Sequence, residues 1–352
     1  MSALEKPLTV DLHCHLERDE DIPLLAELTA PDLDVLAITN HTNKRAIILE
    51  QSRRIEQLAS LRPDLLLLYG LEWNVLGNHV NVIFPARTVE ESYISGFLDG
   101  FEPCDEFEQL SAALEYLADF PAGKPMLILN HPAHYDPVKF PLLADALAKP
   151  GIPLSIGVDG FHGHQNWVQK YEDPFDYPGS APNGLCDLFY QRGIMVPLLA
   201  GSDFHPNKQD EKPDYAPGTY QRILLSGAAK DPVQILAALR QGRTAVDQNL
   251  TIDRIAVECE RQFDDYVNIN INYTGFRMVQ KLELIVGTGT AVEVKGLKED
   301  LQPGSQTVEF SLDIPGITYV RVRGKSSGPC CVEGDKNRIA AFISSAVFCS
   351  DK

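Results

Sequence analysis

The sequence predicts an α/β barrel followed by a smaller antiparallel β-sandwich, and three observations lead to this fold class. The chain has 352 residues, enough for one barrel of about 250 residues and a second domain of about 100. Over its first two-thirds, short apolar runs alternate with helical stretches, as they do in βα units. Further along, the runs alternate with period two and are separated by Gly and Pro turns. We therefore expect a barrel domain over residues 1–240 and a sandwich domain over residues 241–352.

Seven apolar runs predict the strands of the barrel. Such near-continuous runs are typical of parallel strands that are covered on both faces. In chain order they are Leu8–His13, Asp34–Thr39, Leu65–Glu72, His79–Phe84, Met126–His131, Leu154–Asp159 and Met195–Ser202. Helices are predicted between them, for example over Arg45–Leu61 and Glu106–Asp119.

A further helix is predicted over Asp231–Gln241, where Asp231 can cap the first turn and Pro232 suits the first helical position. Beyond it, period-two patterns predict the strands of the sandwich: Asp253–Glu258, Tyr266–Tyr273, Lys281–Val286, Thr307–Asp313, Thr318–Arg323 and Arg338–Ser344. Glycines at 287–296 are not followed by a helical pattern, so we do not expect a phosphate-binding loop there.

The composition argues against several classes of protein. A net charge of −18 without a basic tract disfavours general nucleic acid binding. No apolar run approaches the length of a membrane span, and the N-terminus lacks the apolar core of a signal peptide, so we expect a cytoplasmic protein. The scattered cysteines show no CxxC spacing, and we expect reduced thiols at all seven: Cys14, Cys104, Cys186, Cys259, Cys330, Cys331 and Cys349.

Polar residues that can bind metal stand at the ends of the predicted strands. All nine histidines fall between positions 13 and 205, so none lies in the predicted sandwich. The strand-end residues are His13, His15, Asn40, His41, Glu72, His79, His131, Asp159, Asp203 and His205. In a βα barrel the carboxyl ends of the strands converge on one rim, so we expect these side chains to meet.

The residue types indicate which ligand this rim binds. Imidazole nitrogens together with carboxylate oxygens suit Zn²⁺, Mn²⁺ or Fe²⁺. The number of such groups exceeds the needs of one ion, so we expect two or three divalent metal ions. Glu72 and Asp203 are the expected bridging carboxylates. Asp11, on the same strand face as His13 and His15, is expected to support these ligands from behind.

Other residues near the predicted rim have weaker assignments. Cys14 faces away from the two histidines beside it and is expected to pack in the core. Asp159 and His134 are candidates for contact with substrate or for support of the ligands, although His134 is equally compatible with a surface position. His162 and His164 fall in a predicted loop and can line the mouth of the site.

Six motifs in order resemble those of the polymerase and histidinol phosphatase (PHP) superfamily. They are Asp11-Leu-His13-Cys-His15, Thr39-Asn40-His41, Gly70-Leu-Glu72, the isolated His79, His131-Pro132 and Gly201-Ser-Asp203-Phe-His205. The resemblance covers roughly residues 8–225 and implies a distorted (β/α)7 barrel with a trinuclear metal cluster. The barrel-plus-sandwich layout also resembles, more loosely, a subgroup that includes carbamate ester hydrolases.

The resemblance also implies three ligand sets. The first is His13, His15, Glu72 and Asp203, the second is Glu72, His79 and His131, and the third is His41, His205 and an acid near Glu20. Two positions depart from the family pattern. The acid falls within "RDED", so Asp19 or Asp21 can replace Glu20, and Asn40 stands where the family usually has Asp. An uncharged Asn40 is expected to weaken metal binding in the third set.

These observations predict a metal-dependent hydrolase, with a small-molecule phosphoester as the expected substrate. A metal-bridging hydroxide would attack the phosphorus, and His205 or His134 could protonate the leaving group. Two alternatives stay open. The same cluster can hydrolyse a carbamate, ester or amide, or the chain can be a non-catalytic metal-binding module. The oligomeric state is not predicted.

Overall fold

A computed structural model describes residues 6–132, 147, 154–162, 173–206, 214–263, 266–326 and 340–351. The chain has a mixed α/β fold with one large sheet, as the sequence predicts in outline. The first nine strands are β1 (Leu8–Cys14), β2 (Val35–Ile38), β3 (Leu66–Val75), β4 (Asn78–Ile83), β5 (Met126–Leu129), β6 (Ser155–His162), β7 (Leu198–Gly201), β8 (Gln221–Leu225) and β9 (Thr244–Gln248).

Seven α-helices occur in the described part of the chain. They are α1 (Asp21–Leu28), α2 (Arg45–Leu49), α3 (Gln51–Leu61), α4 (Glu91–Phe101), α5 (Phe107–Ala118), α6 (Leu185–Gln191) and α7 (Pro232–Arg240), with a 3₁₀ turn at Pro174–Asp176. The predicted helix over 231–241 is confirmed. Asp231 caps it by accepting hydrogen bonds from the backbone N–H groups of Val233 and Gln234 at 3.1 and 3.0 Å.

Strand β4 departs from the predicted parallel arrangement. Strands β3 and β4 form an antiparallel hairpin, and β4 also pairs antiparallel with β5. The cause is local, because Leu76 and Gly77 between the two strands have positive φ values of 49° and 77°, as a tight hairpin turn requires. The prediction of one parallel sheet is therefore wrong at β4.

Strand β1 lies inside the large sheet, with β2 parallel on one side and β8 antiparallel on the other. The ladder runs from β7 through β6, β5, β4, β3, β2 and β1 to β8 and β9, and these ladder pairings do not close into a barrel. Backbone hydrogen bonds nevertheless join the end of β1 to the segment after β7. The N–H of Asp203 donates to the carbonyl of His13 at 2.8 Å, and that of His15 to Phe204 at 2.9 Å.

The remaining strands are divided between two sheets. They are β10 (Ile252–Phe263), β11 (Tyr266–Gly275), β12 (Val279–Thr288), β13 (Val292–Leu301), β14 (Gly304–Asp313), β15 (Ile317–Ser326), β16 (Ala340–Ser344), β17 (Val347–Phe348) and β18 (Ser350–Asp351). Strands β9, β16, β15, β12 and β13 continue the large sheet, whereas β14, β11, β10 and β18 form a four-stranded sheet. The large sheet thus runs across residue 240, and the predicted domain boundary stays a prediction.

Two further features of the C-terminal strands were not expected from the sequence. Strand β13 was not predicted, although its edge position explains its many charged residues. Cys259 and Cys349 form a disulfide, so the prediction of reduced thiols is wrong for this pair. Cys259 lies on β10 and Cys349 directly precedes β18, which pairs with β10 in parallel, and this pairing brings together two thiols that are 90 residues apart. Within the described residues, no helix has the length and apolar character needed to cross a bilayer.

Candidate metal centre

The Glu72 carboxylate lies at the centre of a buried cluster of histidines. Glu72 is fully buried on β3, between Asn81 of β4 on one side and His41 on the other. Five imidazoles approach its two oxygens. The closest nitrogen–oxygen distances are 2.8 Å for His41, 3.0 Å for His79, and 3.3 Å for each of His13, His15 and His131. The strand ends on which the sequence places these residues therefore meet around one carboxylate.

Asp203 supplies a second carboxylate to the same cluster. Its oxygen Oδ1 lies 3.0 Å from Nε2 of His15 and 3.3 Å from Nε2 of His13, and Oδ2 lies 3.8 Å from Nε2 of His131. Asp203 and His131 both have positive φ values, 51° and 47°. Non-glycine residues rarely adopt this conformation, and such strain is concentrated at functional sites.

Close contact between β1 and β7 brings His13 to Asp203. A Cβ on Gly201 would overlap with the Cβ and backbone of His13, so only glycine permits this approach. Asp11 holds the same region through its carboxylate, which accepts hydrogen bonds from the backbone N–H groups of His13 at 3.1 Å, Ser202 at 3.1 Å and Gly218 at 3.3 Å. Asp11 thus supports the backbone that carries the histidines, since all three of these hydrogen bonds are to backbone groups and none is to an imidazole ring.

Two asparagines that the sequence does not single out, Asn130 and Asn81, form a hydrogen-bonded pair beside Glu72. Asn130 donates from Nδ2 to Oδ1 of Asn81 at 2.7 Å and lies 3.4 Å from Oε1 of Glu72. Asn81 in turn donates to the carbonyl of Leu12 at 3.1 Å. Their signal in the sequence is an amide side chain within an otherwise apolar strand run.

Burial and mutual charge perturb the ionisation of the cluster. Burial alone would raise the pKa of Glu72 and of Asp203, but the histidines, above all His13, outweigh it and hold both pKa values well below the usual range. Burial opposes a charge on His13 as well, yet Asp203 and Glu72 raise its pKa to about 9. Burial and the neighbouring His205 hold the pKa of His15 well below its ordinary value. The cluster thus presents two anionic carboxylates to a cation.

A third group of ligand atoms also includes His15. Single nitrogens of His15, His41 and His205 lie within 4.8 Å of one another. Asp214, which the sequence analysis missed, places Oδ2 3.3 Å from Nδ1 of His205. The same Nδ1 lies 2.8 Å from the carbonyl of Asp203. Asp214 stands in a Pro- and Gly-containing segment with no motif around it, so its proximity to His205 is visible only in the fold.

The structure does not bring the acids of "RDED" into the cluster. The Glu20 side chain is 71% exposed and forms an ion pair with Arg18 at 2.7 Å. Asp21 also pairs with Arg18, at 2.7 Å, and Asp19 pairs with Arg53 at 2.8 Å. Arg18 belongs to the same short stretch, whereas Arg53 lies on α3. Glu20 is thus placed outside the ligand groups that the described residues form.

Asn40 has a role that an aspartate could not fill. Its Oδ1 accepts from the N–H of Leu16 at 2.7 Å, while its Nδ2 donates to the carbonyl of Leu16 at 3.0 Å and to Oε1 of Gln51 at 2.8 Å. The amide therefore pairs both backbone groups of Leu16, just beyond His15, and a carboxylate has no donor for the carbonyl. Asn40 acts here on the backbone beside the ligands.

Asp159 is buried within β6, three residues before its end, and its carboxylate accepts a hydrogen bond from the backbone N–H of His131. Burial raises the pKa of Asp159 well above its ordinary value. His134 and His164 lie outside the described residues, and His162 is the last residue of β6. Cys14 is buried and packs in the core, as predicted.

The donor set fits divalent metal ions. Three groups within the described residues have ligand atoms close enough to share an ion: His13, His15, Glu72 and Asp203; His41, Glu72 and His79; and His15, His41 and His205. Nδ1 of the fully buried His15 has no hydrogen-bond partner in the described part of the chain. A buried polar nitrogen without a partner is costly, and coordination to a metal would remove that cost.

Comparison with known proteins provides no independent assignment. No protein-family model matches the chain, and a search of curated proteins finds no significant match.

Proposed function

We propose that this chain is a metal-dependent hydrolase with two or three divalent ions at the described cluster, and that its substrate is a small-molecule phosphoester. The observation that supports the proposal most strongly is the position of Glu72. A buried carboxylate approached by five imidazoles, with Asp203 beside it, is the arrangement expected of a carboxylate that bridges metal ions. A purely structural site would need only four ligands.

The chain's own residues would bind and orient the ions and the substrate. His13, His15 and Asp203 would hold one ion, with Glu72 shared toward a second ion held by His79 and His131. When bound, the ions supply Lewis acidity and activate water at neutral pH. Their positive charge also compensates for the acidic chain, so that an anionic phosphoester can approach.

We also propose that β1–β7 curve into the distorted barrel and that the C-terminal strands pack as a sandwich. Residues of β1, β4, β5, β6 and β7 line one small interior cavity, among them Leu12, Asn81, Ile128, Asp159 and Leu199. An open flat sheet would not bring the inward faces of these strands together. One hydrophobic cluster likewise includes β11 residues such as Ile269 and β12 residues such as Leu284, which supports packing between the two sheets.

A carbonyl substrate is the second candidate. The same cluster can activate water against a carbamate, ester or amide, and the two-sheet C-terminal region resembles that of the carbamate-hydrolysing subgroup. The described strands β3 and β4 contain no lysine that could supply a carboxylated bridge, and Glu72 occupies the bridging position instead. A phosphoester and a carbonyl compound are therefore alternative substrates for the same site.

The test begins with elemental analysis of the purified protein, for which we expect two or three ions per chain. Turnover of an aryl phosphoester panel should disappear on chelation and return with Mn²⁺ or Zn²⁺. Cleavage of aryl carbamates by a protein that is silent on all phosphoesters would favour the second candidate. A metal-replete protein that is silent on both panels, or a His13→Ala variant that binds as much metal as the parent, would contradict the proposal.

A further inference from the structure

Strand β15 of the C-terminal region carries a stripe of basic side chains. Arg321, Arg323 and Lys325 alternate along the strand and therefore share one face of the sheet. Their acidic partners are, respectively, Asp187, Glu283 and Asp173. Asp173 and Asp187 both belong to the chain that follows β6, so the stripe attaches the C-terminal strands to a segment next to the candidate metal centre.

Arg321 makes the most extensive of these contacts. Its guanidinium is completely buried and binds Asp187 through two bonds, Nε to Oδ1 at 3.0 Å and Nη2 to Oδ2 at 2.8 Å. The remaining donors reach the backbone, with Nη1 2.7 Å from the carbonyl of Ser180 and Nη2 3.3 Å from that of Ala181. A planar fork of five N–H groups can satisfy all four acceptors at once, whereas a lysine cannot.

Arg321 binds the carbonyls of a turn at residues 179–181, and this turn packs next to the candidate metal centre. A Cβ on Gly179 would overlap with the carbonyl of Asp159 and would lie 2.9 Å from Cγ of Pro132. The hydroxyl of Ser180 donates to the carbonyl of Gly160 at 2.7 Å. The turn is therefore packed against the end of β6 and against the residue that follows His131.

Asp159 and Pro132, which contact this turn, also constrain the backbone conformation of His131. Its backbone N–H is bound by the Asp159 carboxylate, and its φ of 47° is unfavourable for a residue that precedes a proline. Such a conformation persists only when the surrounding structure holds it. In that conformation Nε2 of His131 lies 3.3 Å from Oε1 of Glu72.

We propose that Arg321 is a positioning residue of the metal centre. Arg321 holds residues 179–181 against Asp159 and Pro132. These contacts fix the backbone conformation of His131, so that its imidazole can bind the metal ion shared with Glu72 and His79. The inference rests on the proposed function, because it needs a metal at this cluster. It assigns the C-terminal strands a part in building the site, through one buried side chain.

The experiment compares metal binding with stability in the full chain. Arg321→Lys keeps the charge but cannot reach all four acceptors, and Gly179→Ala displaces the turn while leaving the ion pair intact. Arg323→Lys is the matched control, since Arg323 lies on the same face and bonds to Glu283 at 2.6 Å but does not contact the 179–181 turn. Zn²⁺ affinities are measured by competition with a chelator, and unfolding midpoints are recorded on the same samples.

We expect Arg321→Lys and Gly179→Ala to weaken one bound ion by about 10-fold or more and to leave another unchanged. Arg323→Lys should lower the unfolding midpoint without altering either affinity by more than about twofold, as expected of an ion pair with no link to the ligands. In a His79→Ala background, Arg321→Lys should change metal binding no further, because both substitutions act on the same position.

Three results would overturn the inference while the proposed function stands: unchanged affinities in Gly179→Ala, unchanged affinities in a folded Arg321→Lys, or an equal loss in Arg323→Lys. If Arg321→Lys does not fold, Gly179→Ala still decides the matter. A parent protein that binds no metal would overturn the proposed function and the inference together.

Discussion

Replacing Glu72 by glutamine should remove about half or more of the stability that two bound metal ions would confer on this protein. The substitution keeps the shape of the side chain but removes the negative charge that faces five imidazoles. At a free metal concentration 100 times the dissociation constant, each site adds about 2.7 kcal/mol to the free energy of unfolding. A chain of 352 residues has an unfolding entropy of about 0.7 kcal/mol/K, so each site should raise the Tm by about 4 °C.

The assay is a thermal unfolding series in chelator and in Zn²⁺, at equal protein concentration. For the parent, with two ions, we expect a metal-induced shift of about 7 °C. For Glu72→Gln it should fall to about 4 °C or less, because only the set of His13, His15 and Asp203 then keeps a carboxylate. The control is Glu20→Gln, an exposed carboxylate that should leave the shift unchanged. A full shift in Glu72→Gln, or a lost shift in Glu20→Gln, would refute the reasoning.

Three further predictions concern the scaffold. Asn40→Asp should lower the free energy of unfolding by about 1–3 kcal/mol in urea, because a carboxylate cannot donate to the carbonyl of Leu16; an unchanged midpoint would contradict this. Cys259→Ser opens a loop of 90 residues and should cost roughly 4–5 kcal/mol, a loss that reductant reproduces in the parent but not in the variant. Burial raises the pKa of Asp247 to about 6, although Arg222 acts in the opposite direction. The protonated carboxyl therefore stabilises the folded state below pH 4, and this contribution is lost as the pH rises through 6. The parent should lose about 2 kcal/mol relative to Asp247→Asn between pH 4 and 7, and parallel stability curves would exclude this.

The sequence predicts the strands that carry the ligands because local patterns determine them. An apolar run that ends in His or an acid marks both a buried strand and its polar end, and Glu72, His131 and Asp203 are placed together on that basis. The hairpin of β3 and β4 was missed although its Leu76–Gly77 turn is local, because the expectation of βα units was applied to every run.

Other features depend on contacts between distant residues, and no local pattern reveals them. Asp214 approaches His205 only when the chain is folded, and Asp19, an alternative acid for the third set, pairs instead with Arg53 on α3. Arg321 reads as an ordinary polar position of an alternating strand, but it is completely buried against Asp187. The sequence predicts residue types and periodicity, whereas the partner of a buried charge is set by the packing of separate elements.

The internal position of β1 affects the order in which the candidate ligand group is assembled as the chain is made. Strand β1 is synthesised long before its antiparallel partner β8, which ends at Leu225, and before the segment near Asp203 whose backbone bonds to the end of β1. Contacts over such sequence separations form slowly, and chains of this size fold through intermediates that expose apolar strands. His13 and His15 gain the Glu72 carboxylate after about 60 further residues of chain, but the Asp203 carboxylate only after about 190. The complete group of four ligand residues therefore forms late in the folding of this chain, and so would any metal site built on it.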